Sequence, residues 1–246
     1  MTAADVEARP ALANALKPAE SWWVVLVVDP IAVRVLPVML RRRWLTANRV
    51  TAVAFLVGLV AIWRFAVGDW RGGAVLFEVR FILDCLDGKL ARCRGTASAF
   101  GAAFDRVADF VTIPCAYAAL GWKLAGDGSW DPRLALVVAC ACAITFVTEL
   151  ALESVRRGHR PTSTFSPSVE LGRGPVGWMR RHRLTLRPWT VEAEAVGLFL
   201  APMVLTGHLL ARAECVVAVV YCLFIVVDVC MIAADAAAVD RKRGLT

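Results

Sequence analysis

Four aspartates lie close together in the first half of this 246-residue chain, within a stretch rich in apolar residues. They are Asp84, Asp87, Asp105 and Asp109. An ionisable side chain in an apolar segment is costly, so each of the four is a candidate functional residue. Carboxylate oxygens are hard ligands, which suit Mg²⁺, Mn²⁺ or Ca²⁺ better than zinc. The residue types therefore favour a divalent metal site.

The spacing predicts two helix faces that carry these aspartates, because residues three and four apart lie on one side of a helix. The first face has Asp84, Asp87, Gly88 and Ala91, and the second has Gly101, Asp105 and Asp109. A turn around Gly95 makes the two helices antiparallel neighbours, so four carboxylates converge and require cations. Arg92 stands one turn beyond Gly88, where it could clamp a phosphate. A structural ion pair between helices is the alternative, and two aspartate pairs beside small residues make it the weaker one.

The elements that position these residues are predicted to be membrane helices. The chain is 59% hydrophobic and its mean hydropathy is +0.61. Its apolar runs approach the about 20 residues that a helix needs to cross a bilayer. The predicted fold is an all-α membrane protein with six transmembrane helices. Their ranges are about 47–68, 71–91, 98–122, 132–154, 191–209 and 213–236.

The rest of the chain flanks this six-helix domain, which takes residues 46–238. We expect residues 1–28 to be a mobile tail, 29–45 an amphipathic helix on the membrane surface, and 239–246 a basic tail. An ordinary helix packed on the protein is the alternative for 29–45. Arginine and lysine concentrate at alternate span ends, which predicts that both termini and the aspartates face the cytoplasm. No basic stripe interleaved with aromatics accompanies the net charge of +7, so no nucleic-acid partner is expected.

Residues 84–109 read D-x-x-D-G-x-x-A-R-x8-G-x3-D-x3-D. This stretch resembles the signature of the CDP-alcohol phosphatidyltransferase family, class I. Residues 46–51 resemble the T-P-N-x-x-T segment that opens the first span in that family, with Ala47 where proline is usual. The six spans, the cytoplasmic termini and the surface helix are also similar to that family.

The resemblance implies a role for each matching residue. Asp84, Asp87 and Asp105 would bind Mg²⁺ or Mn²⁺ as two ions. Asp109 would lie at their edge, as a ligand, as the general base for the acceptor, or as both, so that Asp105 and Asp109 are the catalytic candidates. The implied CDP-binding residues are Asn48, Thr51, Asp84, Gly88, Ala91, Arg92 and Gly101.

The resemblance also implies the reaction and the partners. A homodimer in a bacterial cell membrane would transfer a phosphatidyl group from a CDP-linked donor, CDP-diacylglycerol, to a small alcohol and release CMP. The sequence leaves the acceptor open, and the basic loop 155–190 leans slightly toward a phosphorylated one. Weaker acceptor-binding candidates are Glu149, Glu153, Arg156 and Arg157, for which a salt-bridged helix end is an equal alternative.

Two further groups of ionisable residues are candidates for a structural role or for lining the site. Arg80 is one turn from Asp84 and is a candidate structural partner for it. Glu192 and Glu194, with Arg187 and Pro188, form a possible further wall of the site.

Two other classes of function could use intramembrane carboxylates. A transporter of divalent cations or anionic metabolites would bind its solute without chemistry, but such proteins commonly have paired halves or broken helices. No second copy of the aspartate cluster exists in this sequence. An intramembrane prenyltransferase would carry its two aspartate clusters on well-separated helices rather than on consecutive ones.

Overall fold

The computed structural model describes residues 15–17, 20–129, 131–157, 182–184 and 190–243, and of residues 156, 157 and 238–243 it describes only the backbone. Within these residues the regular secondary structure is helical, apart from one isolated bridge between Glu20 and Leu184. The prediction of an all-α fold is confirmed.

Seven helices follow one another in the described part of the chain. They are α1 (Asp29–Arg41), α2 (Ala47–Ala66), α3 (Trp70–Arg94), α4 (Ala99–Gly126), α5 (Pro132–Arg157), α6 (190–204) and α7 (Gly207–Arg243). One π-helical turn, Val24–Val28, leads directly into α1, and α6 contains a π-helical segment, Ala195–Leu200. The helices α2 to α7 lie where the sequence predicts six spans.

Three of these helices are long and apolar enough to cross a membrane by length and composition, over Ala47–Ala66, Pro132–Val155 and Gly207–Ala237. Apolar side chains project outward from them: Leu56 is 59% exposed and Leu223 is 58% exposed. Such a surface is suited to lipid rather than to water. The chain is therefore a membrane protein, whose α3 departs from a purely apolar span because it carries the first two aspartates.

Local sequence explains how α3 and α4, which both pack on α2, come to direct their carboxylates toward each other. The Asp69 carboxylate accepts the Gly72 N–H at 2.9 Å and starts α3, and the Ser98 hydroxyl accepts the Gly101 N–H at 3.0 Å and starts α4. Between them α3 ends at Gly95, whose φ of 62° lies in the left-handed region that glycine adopts readily. The short turn makes the helices antiparallel and places the end of α3 beside the start of α4.

The chain before α1 differs from the prediction. Residues 22–28 fall in the predicted tail, yet they are helical, and Val24 and Val28 pack against Phe81 of α3. The helix α1 ends at Arg41 rather than near residue 45. Its buried side packs on α2 and α3 through Leu36, while Val38 on another side is 57% exposed. One face is therefore bound to the protein and another is free to contact lipid.

Gly73 allows a close approach of α2 and α3. A Cβ atom on Gly73 would lie 2.6 Å from Cδ1 of Phe65, whose side chain is completely buried in the main core. That core joins Phe65 to Tyr117 of α4 and Tyr221 of α7. The ring has no free space to move into, so even one added carbon would disturb the packing.

We therefore expect Gly73→Ala to destabilise the protein by about 1–3 kcal/mol, the usual cost of overpacking a core. The measurement is the melting temperature of the detergent-purified protein. Gly126→Ala is the matched control, because a Cβ there meets no atom within 4 Å. Equal melting temperatures for the two variants would contradict the close approach.

Candidate functional site

Three carboxylates from two helices meet at one point. Asp84 and Asp87 of α3 and Asp105 of α4 each place one oxygen within 4.8 Å of the other two. We call these three residues the acidic cluster. Three anions at this distance repel one another unless a cation lies among them, and an all-oxygen donor set fits Mg²⁺ or Mn²⁺. The cluster is thus a candidate metal centre.

Thr51 of α2 supports the acidic cluster from outside. Its hydroxyl donates a hydrogen bond to Oδ2 of Asp87. The hydroxyl oxygen of Thr51 also lies 3.1 Å from the carbonyl oxygen of Ala47. Thr51 is 4% exposed and Asp87 is 5% exposed, so water does not compete with this bond. A hydrogen bond to the back of a ligating carboxylate fixes its orientation toward a metal.

Asp109 lies beside the cluster and has a cation of its own. Its Oδ1 forms an ion pair with the guanidinium of Arg80, which is 1% exposed. The sequence suggested Asp84 as the partner of Arg80. In the structure Arg80 instead forms its ion pair with Asp109 on α4. The guanidinium also lies 5.6 Å from the centre of the Phe77 ring. This ion pair holds the Asp109 carboxylate at the edge of the acidic cluster.

A cavity of about 210 Å³ opens where α2, α3 and α4 meet, and we call it the first cavity. Asp87 and Asp105 of the acidic cluster line it. Gly101 leaves this cavity open, because a Cβ there would come within 3.3 Å of Oδ1 of Asn48. Six of the seven predicted CDP-binding residues also line it: Asn48, Thr51, Gly88, Ala91, Arg92 and Gly101.

A second cavity of about 310 Å³ adjoins the first at the acidic cluster. It contains the seventh predicted CDP-binding residue, Asp84, and shares Asp87 and Asp105 with the first cavity. Two of the three carboxylates of the cluster therefore belong to both cavities. The charged residues around the second cavity are Lys17, Glu20, Arg80, Asp84, Asp87, Lys89, Arg92, Asp105, Asp109, Glu149 and Glu194.

Residues from the predicted tail cover this second cavity. The Arg92 guanidinium donates to the Ala15 carbonyl from Nε at 3.1 Å and from Nη2 at 3.0 Å. The Lys17 carbonyl in turn accepts from Arg183 Nε at 2.9 Å. Arg92 was predicted to bind a phosphate. In this structure its guanidinium is hydrogen-bonded to the Ala15 carbonyl.

The predicted acceptor-binding residues separate into three groups. Glu149 lines the second cavity. Glu153 is absent from its wall and forms an ion pair with Arg106 at 3.0 Å. The side chains of Arg156 and Arg157 lie outside the described residues, as do Arg187 and Pro188.

Several residues of the second cavity were not among the principal sequence candidates. Glu194 of α6 was considered only as a possible wall, and it is 5% exposed and does line the cavity. Its position in an apolar span was a usable signal. Glu192 instead accepts the Trp22 N–H at 2.6 Å. Lys17 and Glu20 gave no signal, because nothing in the local sequence brings the tail to the aspartates.

The support from Thr51 can be tested by its isosteric replacement. Thr51→Val removes the O–H that orients Asp87, and we expect Mn²⁺ to bind the purified protein about 10-fold more weakly. Thr112→Val is the matched control, because the Thr112 hydroxyl is also buried but donates within its own helix, to Ala108 at 2.8 Å. Both affinities follow from titration of free Mn²⁺ by electron paramagnetic resonance. Equal affinities in the two variants would remove Thr51 from the metal centre.

Known proteins resemble this chain over the region that contains the acidic cluster. The model of a family described as CDP-alcohol phosphatidyltransferase matches residues 44–171. An archaetidylinositol phosphate synthase from Pyrococcus horikoshii is 28% identical over 133 residues, which are 51% of this chain and 70% of that protein. A phosphatidylinositol phosphate synthase from Corynebacterium glutamicum is 32% identical over 115 residues, 46% of this chain and 49% of that protein.

Solved structures share the fold over a longer range. The Mycobacterium tuberculosis phosphatidylinositol phosphate synthase with CDP-DAG bound aligns with a TM-score of 0.54 and 21% identity, over 84% of this chain and 93% of that one. The same enzyme in complex with manganese and citrate aligns with a TM-score of 0.53 and 21% identity, over 84% and 88% of the two chains. At this identity the likeness shows a common fold.

Proposed function

This chain belongs to the CDP-alcohol phosphatidyltransferase family, whose model covers more than half of its length, and we propose that it transfers a phosphatidyl group from CDP-diacylglycerol to a small alcohol, with release of CMP. It is a membrane-bound transferase of phospholipid synthesis. The observation that carries the proposal is the acidic cluster at the junction of two cavities, because Asp87 and Asp105 line both and a metal held there could contact a donor and an acceptor.

The acidic cluster would hold the metal. Asp84, Asp87 and Asp105 offer a set of carboxylate oxygens that suits a pair of Mg²⁺ or Mn²⁺ ions. When bound, the metal neutralises the diphosphate of the donor and the charge that develops as CMP leaves. The manganese complex of the M. tuberculosis synthase supports this choice.

The CDP moiety would occupy the first cavity, which the predicted nucleotide-binding residues line. Gly88 and Gly101 leave its walls open there, and Arg92 offers a guanidinium for a phosphate once it leaves the Ala15 carbonyl. The M. tuberculosis synthase was crystallised with CDP-DAG, which supports a lipid-linked donor.

The acyl chains of such a donor need an apolar path, and a lateral groove between α4 and α5 supplies one. The groove encloses about 470 Å³ and shares Asp109, Phe146 and Glu149 with the second cavity. Its other residues include Val107, Phe110, Val147 and Leu150. A lipid could therefore lie in the bilayer with its phosphate at the acidic cluster.

The transfer step follows from these positions. The acceptor hydroxyl loses its proton to Asp109, and its oxygen attacks the phosphorus that carries the diacylglycerol. The bond from that phosphorus to the CMP oxygen breaks, and CMP leaves in line with the attack. Arg80 holds the Asp109 carboxylate in place for the proton transfer. We propose that this occurs at the cytoplasmic side of the membrane, in a homodimer.

The reaction can be measured in vesicles that contain the protein, CDP-diacylglycerol and a mixture of alcohols with Mn²⁺. We expect CMP release that chelation of the metal abolishes. Asp84→Asn, Asp87→Asn and Asp105→Asn should each lower it by about 100-fold or more, because loss of an outer-shell partner alone costs 10–100-fold. Asp228→Asn is the control, because that buried carboxylate binds Thr148 at 3.2 Å and lines neither cavity. Solute flux without CMP would indicate a transporter.

The role of Asp109 can be separated from metal binding. Asp109→Asn keeps the size of the side chain but cannot accept the proton, so transfer should stop while Mn²⁺ and the CDP-linked donor still bind. The measurements are CMP release and donor binding on the same preparation. Loss of both binding and transfer would identify Asp109 as a metal ligand first and reject it as the base.

A further inference from the structure

The chain segment that leads into α1 forms part of the second cavity, and we call its residues 20–24 the N-terminal wall. Glu20 and Val24 line the cavity. Val24 is 4% exposed and packs in a cluster with Phe81 of α3 and Val191 of α6, which line the same cavity. Residues from outside the six predicted spans therefore complete an apolar side of the space that also contains the acidic cluster.

Trp23 fixes this wall to two helices at once. Its Nε1–H donates a hydrogen bond to Oε1 of Glu78 on α3 at 3.0 Å, and Glu78 is 8% exposed. Its ring lies against Phe199 of α6, with the ring centres 6.0 Å apart and the ring planes at 62°. A hydrogen bond to a carboxylate that is shielded from water and an edge-on aromatic pair are both stabilising contacts. Trp23 therefore determines where the neighbouring Val24 lies relative to α3 and α6.

Backbone contacts hold the rest of the wall. The Glu20 N–H donates to the Arg183 carbonyl at 2.8 Å, and the Trp22 N–H donates to Glu192 of α6 at 2.6 Å. These partners before and within α6 add to the contacts that Trp23 makes. The N-terminal wall is therefore bound to the helix bundle along its length.

The N-terminal wall belongs to the second cavity and not to the first. None of its residues lines the first cavity, which receives the nucleotide in the proposed function. Trp23, Glu78 and Phe199 line neither cavity, so they can act on a ligand only through the wall. A displacement of the wall should therefore change the binding of the alcohol and leave the binding of the nucleotide and the metal unaffected.

We propose that residues 20–24 form a wall of the acceptor site and that Trp23 is the residue that positions this wall. The inference rests on the proposed function, in which CDP occupies the first cavity and the alcohol the second. Trp23 does not touch the alcohol. It keeps Val24 in place, so that the apolar side of the cavity holds the alcohol close to the acidic cluster. A displacement of about 1 Å in such a surface can cost about 100-fold in rate.

The experiment measures the kinetics of Trp23→Phe in vesicles with Mn²⁺ and CDP-diacylglycerol. Glycerol 3-phosphate, inositol 1-phosphate, serine and ethanolamine are each tried, and the alcohol that gives the fastest CMP release is titrated. The variant lacks the Nε1–H, so we expect the KM for this alcohol to rise about 10-fold, while kcat and the KM for the donor stay within about 2-fold. The matched control is Trp122→Phe, because Trp122 is 72% exposed and lines neither cavity.

A double-mutant cycle assigns the effect to the contact between Trp23 and Glu78. Glu78→Gln keeps an oxygen that accepts the Nε1–H, and it should leave the KM for the alcohol unchanged. Glu78→Leu removes this oxygen and should raise that KM as Trp23→Phe does. The double variant Trp23→Phe with Glu78→Leu should show no further rise, because both changes remove the same hydrogen bond.

The wall can also be altered directly. Val24→Ala removes two methyl groups from the side of the second cavity, and we expect the KM for the alcohol to rise about 10-fold. Leu26→Ala is the control, because Leu26 lies on the same segment but is 67% exposed and lines neither cavity. An unchanged affinity for Mn²⁺ and an unchanged melting temperature show that each variant is folded.

The outcomes separate this wall from the proposed function. An unchanged KM for the alcohol in either Trp23→Phe or Val24→Ala would overturn the wall and retain the transferase. A KM for the donor that rises in parallel would also overturn it, because a general disturbance of the fold affects both substrates. Absence of CMP release by the unaltered protein with all four alcohols would reject the proposed transfer itself, and the acceptor wall with it.

Discussion

The structure depends on bringing three carboxylates together inside an apolar helix bundle. Their mutual repulsion has to be offset, and the surrounding elements are arranged to do so. The turn at Gly95 sets two helices antiparallel so that the carboxylates meet, Thr51 donates to one of them from a third helix, and Arg80 neutralises Asp109 beside them. A divalent cation would complete this arrangement, so the same charges that oppose folding would favour binding of the metal.

Asp87 and Asp105 line both cavities, so a group bound in either cavity can reach the acidic cluster. In the proposed transfer, a donor phosphate and an acceptor oxygen would both lie near the metal, which brings the reacting groups together. The two spaces also differ in their walls. Glycines and an arginine surround the first, whereas glutamates and a phenylalanine form the far side of the second. The parts of the two cavities that are not shared therefore offer different chemical groups to a ligand.

The meeting of the carboxylates could be predicted because it depends on local features. The i+3 spacing of Asp84 and Asp87, the i+4 spacing of Asp105 and Asp109, and the short turn before α4 determine the faces on which the aspartates lie. The partner of Arg80 could not be read in this way, because its choice between Asp84 and Asp109 depends on the rotation of α3 against α4. The contact of the N-terminal residues with the second cavity was still harder to predict. Ala15 and Arg92 are 77 residues apart, and no local sequence pattern connects them. The position of Glu194 in the wall of the second cavity likewise depends on where α6 packs.

The contact between Arg183 and the carbonyl of Lys17 has a consequence for the order of assembly. These residues are 166 apart in the chain, so this part of the cover cannot form until synthesis has passed α5. By then both helices that carry the acidic cluster already exist, and closing so long a loop is entropically costly. The carboxylates of the acidic cluster are therefore synthesised well before this contact can close over them.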